Sequence, residues 1–411
     1  MGTAKYSAGL PVVIVGAGPV GMTAAAMLTG AGVPVVVVER HPEPRTDWRA
    51  STFHAPTLEL LDRIGVTGQM HDEGLVVPQY QFRDRHDGLV AAFDFSVLGD
   101  ETPYPYRLQL NQQHLVRMLH ERLAEEAVFA FGTEVVGVTD QGDEVAVTVE
   151  TGGATETWRA AFVIGADGAG STVRRELGVG FEGFTYPERF LIASVADDLR
   201  GLIPDLADVN YVADPEEWLF ILRTPESWRA VWPVAPGAEE PMSPGAIQAG
   251  LQRIAAHPEG YRVLDAQLYN VHQRVAARFR AGRIALIGDA AHVNSPIGGV
   301  GLNSGIHDAM DLTTRLIRSL TDEVLDADLD AFDTVRRLVA VEYVQADTQR
   351  NTERLKERDE ARRREAHAEM RAIAADPARA RAYMRRASLL ESVRRYGIGE
   401  PVSPPVTAHD R

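Results

Sequence analysis

Three glycine-rich segments, far apart in the chain, carry residue types suited to holding a phosphorylated, hydroxyl-rich cofactor. In the first, Gly16-Ala17-Gly18-Pro19-Val20-Gly21, Gly16 permits a tight turn, Gly18 lets backbone approach a pyrophosphate, and Gly21 lets a helix pack closely on a strand. A helix opening there presents its positive dipole end to the phosphates. Glu39, with Arg40 beside it, lies 18 residues after Gly21, where a carboxylate can accept hydrogen bonds from both hydroxyls of an adenosine ribose. The second segment, Val163 to Arg174, contains Asp167, which either lies near the cofactor or caps the following helix through Arg174. The third, Gly288 to Asn303, sets Asp289 at a strand end, where it can accept hydrogen bonds from a polyol such as a flavin ribityl chain. Its loop, with Pro296, Gly298, Gly299, Val300 and Gly301, then enters a helix at about Leu302 and Asn303. The loop amides and the helix dipole suit the N1–C2=O edge of an isoalloxazine, where a reduced flavin is negative.

Such residues need strands and turns to hold them. Val12-Val13-Ile14-Val15 has the length and β-branching of a buried parallel strand, a small-residue helix follows GAGPVG, and Val35 to Val38 ends at Glu39, which closes a βαβ unit. EVVGVTD and EVAVTVE alternate apolar and polar residues around the turn QGD, and ETWRAAFVIGADG adds a third run, which predicts a meander laid over the first domain. Between about 181 and 280, Trp218, Phe220 and Leu222, then Trp228, Ala230, Trp232 and Val234, keep period-two spacing with Arg223 and Arg229 nearby. That pattern predicts a mainly antiparallel sheet with one aromatic-rich face. The run Arg-Ile-Ala-Leu-Ile-Gly-Asp after Gly282 reads as another buried strand, and from Leu302 the pattern is mostly helical to about 395. The expected division is 1–180, a βαβ domain with the inserted meander; 181–280, the sheet domain; 281–345, the return to the first domain; and 346–411, a helical segment whose tail, PVSPPVTAHDR, reads as frayed.

The 411 residues carry 42 Lys+Arg against 58 Asp+Glu, a formal charge of −16, which argues against nucleic acid as the main partner. Cysteine is absent, so disulfides, thiolate nucleophiles and Cys-ligated metals are excluded and any redox chemistry must come from a cofactor. Lys5 and Lys356 are the only lysines, which disfavours Schiff-base catalysis. No stretch approaches the roughly 18–20 apolar residues that span a bilayer. The start, MGTAKYSAGLPVV, leads into a strand rather than a signal-peptide core, so the expected location is the cytoplasm without membrane attachment. The segment Arg350 to Arg395 holds 14 basic and 8 acidic residues; it reads as a solvated helical surface, with docking on the acidic body or an oligomer partner as the alternative.

Taken together and in this order, the three segments resemble the class A flavoprotein monooxygenases, the aromatic hydroxylases typified by para-hydroxybenzoate hydroxylase, over about residues 10 to 395. The resemblance implies an α/β fold: a Rossmann-like FAD-binding domain interleaved with a mainly antiparallel β-sheet substrate domain and followed by a C-terminal helical segment. It implies FAD as cofactor, NADH or NADPH as co-substrate, and a small aromatic substrate, phenolic or polyketide-like, hydroxylated with molecular oxygen through a flavin C4a-hydroperoxide. No metal is needed, and a homodimer is compatible. Arg49 resembles the family's arginine near the flavin diphosphate, and YRLQLNQQHLVRMLHERL its glutamine-bearing segment, which carries over Gln112, with Gln113 the other register. Baeyer–Villiger insertion, epoxidation or flavin-dependent reduction on the same fold are the alternatives, and a non-enzymatic flavin-fold binding protein is a further one.

The substrate pocket is then expected between the flavin loop and the aromatic sheet face, lined by His54, Tyr211, Trp218, Phe220, Trp232 and Pro296. His54 and Pro296 are the candidates for contact with the reacting groups. With an unperturbed pKa of about 6.5, His54 would suit a proton acceptor for a phenol, against the plainer reading of a helix-capping or core histidine. Arg107 either lines this site or forms a surface salt bridge. His292, inside the cofactor-holding turn, reads as structural.

Overall fold

In the computed structural model, which describes residues 9–46, 48–321 and 326–400, the strand Val12–Val15 is buried along its whole length at the centre of a six-stranded sheet. The strand order is Arg280–Ala281, Ile284–Leu286, Phe162–Gly165, Val12–Val15, Val35–Glu39, Val128–Phe131. All neighbours are parallel except the hairpin of Arg280–Ala281 with Ile284–Leu286. The near-continuous apolar runs follow from burial on both faces. Helix Pro19–Gly30 packs against helices Gln112–Leu123 and Gly301–Thr321. Strands Thr133–Asp140, Val145–Thr151 and Ala154–Ala160 form the separate antiparallel meander. A small sheet pairs Thr52–Phe53 and Leu75–Val77 with Arg107–Gln109.

The second large sheet has eight strands in the order His292–Val293, Val263–Ala276, Phe181–Val195, Trp228–Val234, Leu219–Arg223, Val209–Ala213, Gln79–Asp84, Gly88–Asp94. Every pair is antiparallel except Val209–Ala213 with Gln79–Asp84. The segment 181–280 therefore supplies only part of this sheet; the hairpin 79–94 arrives from the first part of the chain. Strand alternation also splits the aromatic residues between two faces. Phe220 and Leu222, with Trp218, pack with Tyr80, Phe190 and Tyr211, whereas Trp228, Ala230, Trp232 and Val234 pack on the other side against helix Pro244–Ile254. There the Trp232 ring lies so close to Gly250 that a Cβ at that position would sit 2.7 Å from it.

Helices Asp326–Val339, Ala346–Leu355, Glu360–Ala375, Pro377–Ala387 and Leu390–Tyr396 complete the described chain, with a π-helical turn at Ala340–Gln345 between the first two. The basic segment docks on the acidic body: Arg381 meets Asp100 at 2.7 Å and Arg385 meets Glu101 at 2.7 Å. These pairs are half-exposed and contribute little by themselves. Apolar contacts do more, among them Phe93 against Tyr383 at a ring separation of 4.8 Å. The tail 401–411 lies outside the described residues. No described helix is long and apolar enough to cross a membrane.

Candidate active site

The carboxyl ends of the parallel strands open into a cleft of about 690 Å3, whose far wall is the eight-stranded sheet. Gly16, Gly18, Glu39, Arg40, Arg49, Gln112, Gln113, Asp167 and Asp289 all line it. The volume lies within the range of about 300–1,000 Å3 common for ligand sites. Gly16 has φ +107°, and a Cβ there would stand 2.4 Å from the Ala166 carbonyl oxygen; a Cβ at Gly21 would stand 2.1 Å from that of Gly16. Those two glycines let the turn close, whereas a Cβ at Gly18 would meet nothing within 4 Å. The N-terminus of helix Pro19–Gly30 carries no side-chain cap, which leaves it available to an anion. Glu39 accepts the amides of Ala17 at 2.9 Å and His41 at 3.0 Å, which fix its carboxylate while lone pairs remain for hydroxyl donors.

Asp289 occupies the turn Gly288–Ala290, open to the cleft and without a hydrogen-bond partner among the described residues. Desolvation pushes its pKa up, opposed by the charges of His292 and Arg49. A buried network holds the turn. Asp308 accepts His292 Nε2 at 2.8 Å, Arg336 Nε at 2.7 Å and the Gly288 amide at 3.1 Å. His292 is thus tied into the scaffold. Asp167 caps helix Thr172–Glu176 through Ser171 Oγ at 2.5 Å and the amides of Thr172 at 2.7 Å and Val173 at 3.2 Å, while also facing the cleft. Arg174 takes no part in that cap through its side chain. It donates to the carbonyls of Ala290 at 2.8 Å and Ala169 at 2.7 Å, joining the second glycine-rich segment to the third.

The loop after Ser295 presents Pro296, Gly299, Gly301 and Leu302 to the cleft, whereas Gly298 and Val300 turn to a second, smaller cavity. Gly298 and Gly299 have φ of +119° and +67°, and a Cβ at Gly299 would stand 3.1 Å from Thr52, itself on the cleft wall. Asn303 corrects the cofactor-contact expectation, because it is fully buried and clamps the loop. Its Nδ2 donates to the carbonyls of Thr52 at 2.8 Å and Gly299 at 2.7 Å, and its Oδ1 accepts the His54 amide at 2.8 Å.

His54 also departs from expectation. It is fully buried, off the cleft wall, and its Nε2 lies 3.2 Å from the Gly298 carbonyl oxygen. That oxygen can only accept, so Nε2 carries the proton and Nδ1 is bare; Nδ1 has no partner in the structure. Burial, reinforced by the charge of Arg107, lowers the His54 pKa well below its ordinary value. It is a strut for the loop, set off the wall of the cleft in which it was expected to meet a phenol. Among the aromatic candidates, Phe220 lines the cleft and stacks on Tyr211 at 4.8 Å, which places Tyr211 in the smaller cavity. Trp218 sits edge-on to Phe190 within the core, and Trp232 faces away on the opposite side of the sheet.

The cleft wall also contains residues with no assigned role in the sequence reading. Phe190, Leu222 and Val231 supply apolar surface, and Arg229, 3% exposed, donates to the Arg49 carbonyl at 2.6 Å and to Asn111. Burial lowers the Arg229 pKa to about 10. Asn111 reaches Glu226 at 2.9 Å, and His114 bridges Glu226 and Glu73 at 2.8 and 2.6 Å. The signal was present: Arg229 and Val231 alternate with Trp228, Ala230 and Trp232, so the complementary face faces the cleft.

The FAD binding domain family matches residues 9–347. The para-nitrophenol 4-monooxygenase of Pseudomonas sp. (strain WBC-3) is 35% identical over 362 residues, 86% of this chain and 89% of that protein. The 6-hydroxy-3-succinoylpyridine 3-monooxygenase of Pseudomonas putida (strain DSM 28022 / S16) is 33% identical, covering 81% of this chain and 86% of that protein. Among solved structures, p-nitrophenol 4-monooxygenase from Pseudomonas putida DLL-E4 superposes with a TM-score of 0.89 at 30% identity, covering 95% of this chain and 99% of that one. The anhydrotetracycline hydroxylase of Streptomyces rimosus gives 0.79 at 28% identity, over 93% and 76% of the two chains.

Proposed function

The chain belongs to the FAD-dependent aromatic monooxygenases, the class A flavoprotein hydroxylases, and from that membership we propose that it hydroxylates a small phenol at the expense of NADH or NADPH and molecular oxygen. FAD, when bound, would supply the redox chemistry that couples two-electron oxidation of the nicotinamide to insertion of one oxygen atom into the ring, with the other released as water. The observation that carries this reading is a shared space: the dinucleotide-type residues Gly18, Glu39 and Asp289 line the same cleft as Phe190, Phe220, Leu222 and Val231. In it the turn at Gly16–Gly18 and the free helix N-terminus would hold the pyrophosphate, Glu39 the adenosine ribose and Asp289 the ribityl hydroxyls. Arg40, Arg49, Gln112 and Asp167 stand along the cleft for the remaining polar contacts. Pro296, Gly299, Gly301 and Leu302, which line the cleft, would hold the flavin ring, and the apolar sheet wall would orient the substrate and exclude water.

Under isotopically labelled oxygen and NAD(P)H, a panel of substituted phenols is expected to yield product with one labelled oxygen atom per turnover. Conversion without label would replace this reading with a flavin dehydrogenase or reductase; label in an expanded ring or an ester would replace hydroxylation with Baeyer–Villiger insertion. Asp289→Ala is expected to weaken FAD roughly ten- to hundredfold, about 1.5–3 kcal/mol, through loss of charge-assisted hydrogen bonds. Flavin titration of the folded variant checks this, and unchanged affinity would remove Asp289 from the cofactor site.

A further inference from the structure

Arg107 is 2% exposed, and among the described residues no carboxylate forms an ion pair with it. Its guanidinium lies over the ring of Tyr80 at 4.5 Å, with Phe95 at 5.5 Å and Tyr211 at 5.8 Å, and Nη1 donates to Tyr211 Oη at 3.1 Å. Nε has no partner. Two more unpartnered buried atoms lie nearby on the paired strands, because Thr52 faces Gln109 and Phe53 faces Leu108 in antiparallel register, which brings His54 beside Arg107. They are His54 Nδ1 and Gln109 Nε2. Native proteins leave few such atoms unsatisfied; His54 and Gln109 line neither cavity, whereas Arg107 lines the smaller one, and an unpartnered atom on a cavity-lining guanidinium marks a place for a ligand.

The smaller cavity, about 30 Å3, is lined by Arg107 together with Tyr80, Tyr211, Ile297 and Gly298, and its other charged lining residues are Asp347, Arg354 and Arg386. A water needs about 10–15 Å3 on such a measure, so the notch takes one or two oxygen atoms and not a ring. Tyr211 belongs to the notch and Phe220, stacked on it, to the cleft, so one aromatic wall serves both. The carboxylate on the rim, Asp347, is engaged by Arg386 and by Arg350, each at 3.0 Å. Burial pushes the pKa values of Tyr80 and Tyr211 up, so both remain neutral. Among the described residues Arg107 is thus left without a carboxylate partner.

We propose that Arg107 is the specificity-determining anchor for an ionised oxygen on the aromatic substrate, which it binds as the phenolate, with Tyr211 donating its hydroxyl proton to the same oxygen. This rests on the phenol-hydroxylase reading above. The cation favours release of the phenol proton to solvent, a task that buried His54, which lines neither cavity, does not perform. The ring then becomes a stronger nucleophile for the oxygen it receives.

The test uses the FAD-loaded enzyme with 4-nitrophenol and its uncharged ether, 4-nitroanisole, followed by perturbation of the flavin spectrum. Wild type is expected to bind 4-nitrophenol at least tenfold more tightly than the ether, and more tightly as pH rises through the ionisation of the phenol. Arg107→Met is expected to lose that preference and its pH dependence without weakening the ether, and Arg107→Lys to recover part of it. Thermal unfolding of free Arg107→Met is expected at or above the wild-type temperature, since the variant removes a buried charge that has no protein counter-ion. A marked fall in that temperature would assign Arg107 to the fold and overturn the proposal, as would equal affinity for the two probes or absence of phenolate binding by wild type. If labelled oxygen enters phenols while the two probes bind equally, only the anchor falls. If phenolate binding requires Arg107 but no phenol gains label, the hydroxylase reading falls and the anion site stands.

Discussion

Asp308→Ala is expected to destabilise the folded protein by about 3–5 kcal/mol, the range for removing one member of a buried ion pair and leaving the other uncompensated. Arg336 and His292 both converge on this carboxylate, and all three side chains are buried. Among the described residues Arg336 makes its further hydrogen bonds with Ser304 alone, at 3.3 Å to the carbonyl and 3.2 Å to the hydroxyl, which are no substitute for a counter-ion. The lost Gly288 amide bond would also loosen the turn that presents Asp289. Denaturant unfolding measures the effect, and the double variant Asp308→Leu/Arg336→Met supplies the control. It is expected to be more stable than Asp308→Ala because no charge is then stranded. A single variant as stable as wild type would show that the network does not carry the turn.

Acidification from about pH 6.5 toward pH 3 is expected to remove on the order of 4 kcal/mol through His307 alone. Burial, helped by the charge of Arg336, lowers the His307 pKa from 6.5 to about 3. The folded state holds the imidazole neutral while the unfolded chain takes up a proton near 6.5, so the unfolded state binds more protons and stability falls as pH falls through that window. His54 shifts in the same direction and steepens the same limb. Asp308 acts later. Its burial raises the pKa, but Arg336 and His292 outweigh that and hold it below 3.8, so its contribution is present above that value and lost below it. His307→Gln keeps a hydrogen-bonding group near Thr57, whose hydroxyl lies 2.9 Å from Nε2. The variant is expected to flatten the acid limb between pH 6.5 and 4 with little change above pH 7. An unchanged limb would mean that His307 is already charged in the folded protein.

The cofactor cleft was legible because its demands are local. Only glycine satisfies φ +107° at position 16 with a carbonyl oxygen 2.4 Å from where a Cβ would be, so the residue type itself records the geometry. Period-two spacing was legible as strands but silent about direction. It marks two faces without saying which one meets the cleft, and Trp232 belongs to the face that does not. The parallel pairing of Gln79–Asp84 with Val209–Ala213 joins segments more than a hundred residues apart and leaves no local trace. Ionisation was hidden too. His54 has an ordinary side chain whose pKa is lowered by complete burial and by the nearby charge of Arg107, and burial belongs to the tertiary structure.

The interleaving of the two large sheets governs how the chain can be made. Phe162–Gly165 has Val12–Val15 on one side and receives its other neighbour only when Ile284–Leu286 has been synthesised. The hairpin 79–94 emerges early from the ribosome, yet its parallel partner lies at Val209–Ala213, and the same sheet closes with His292–Val293. Each nascent half thus carries an open strand edge, a template for intermolecular pairing, until the chain has been translated through His292–Val293. Genes cut near residue 180, between strands Phe162–Gly165 and Phe181–Val195, would release two fragments with complementary unpaired edges, suited to reassembly when co-expressed and to aggregation when produced alone.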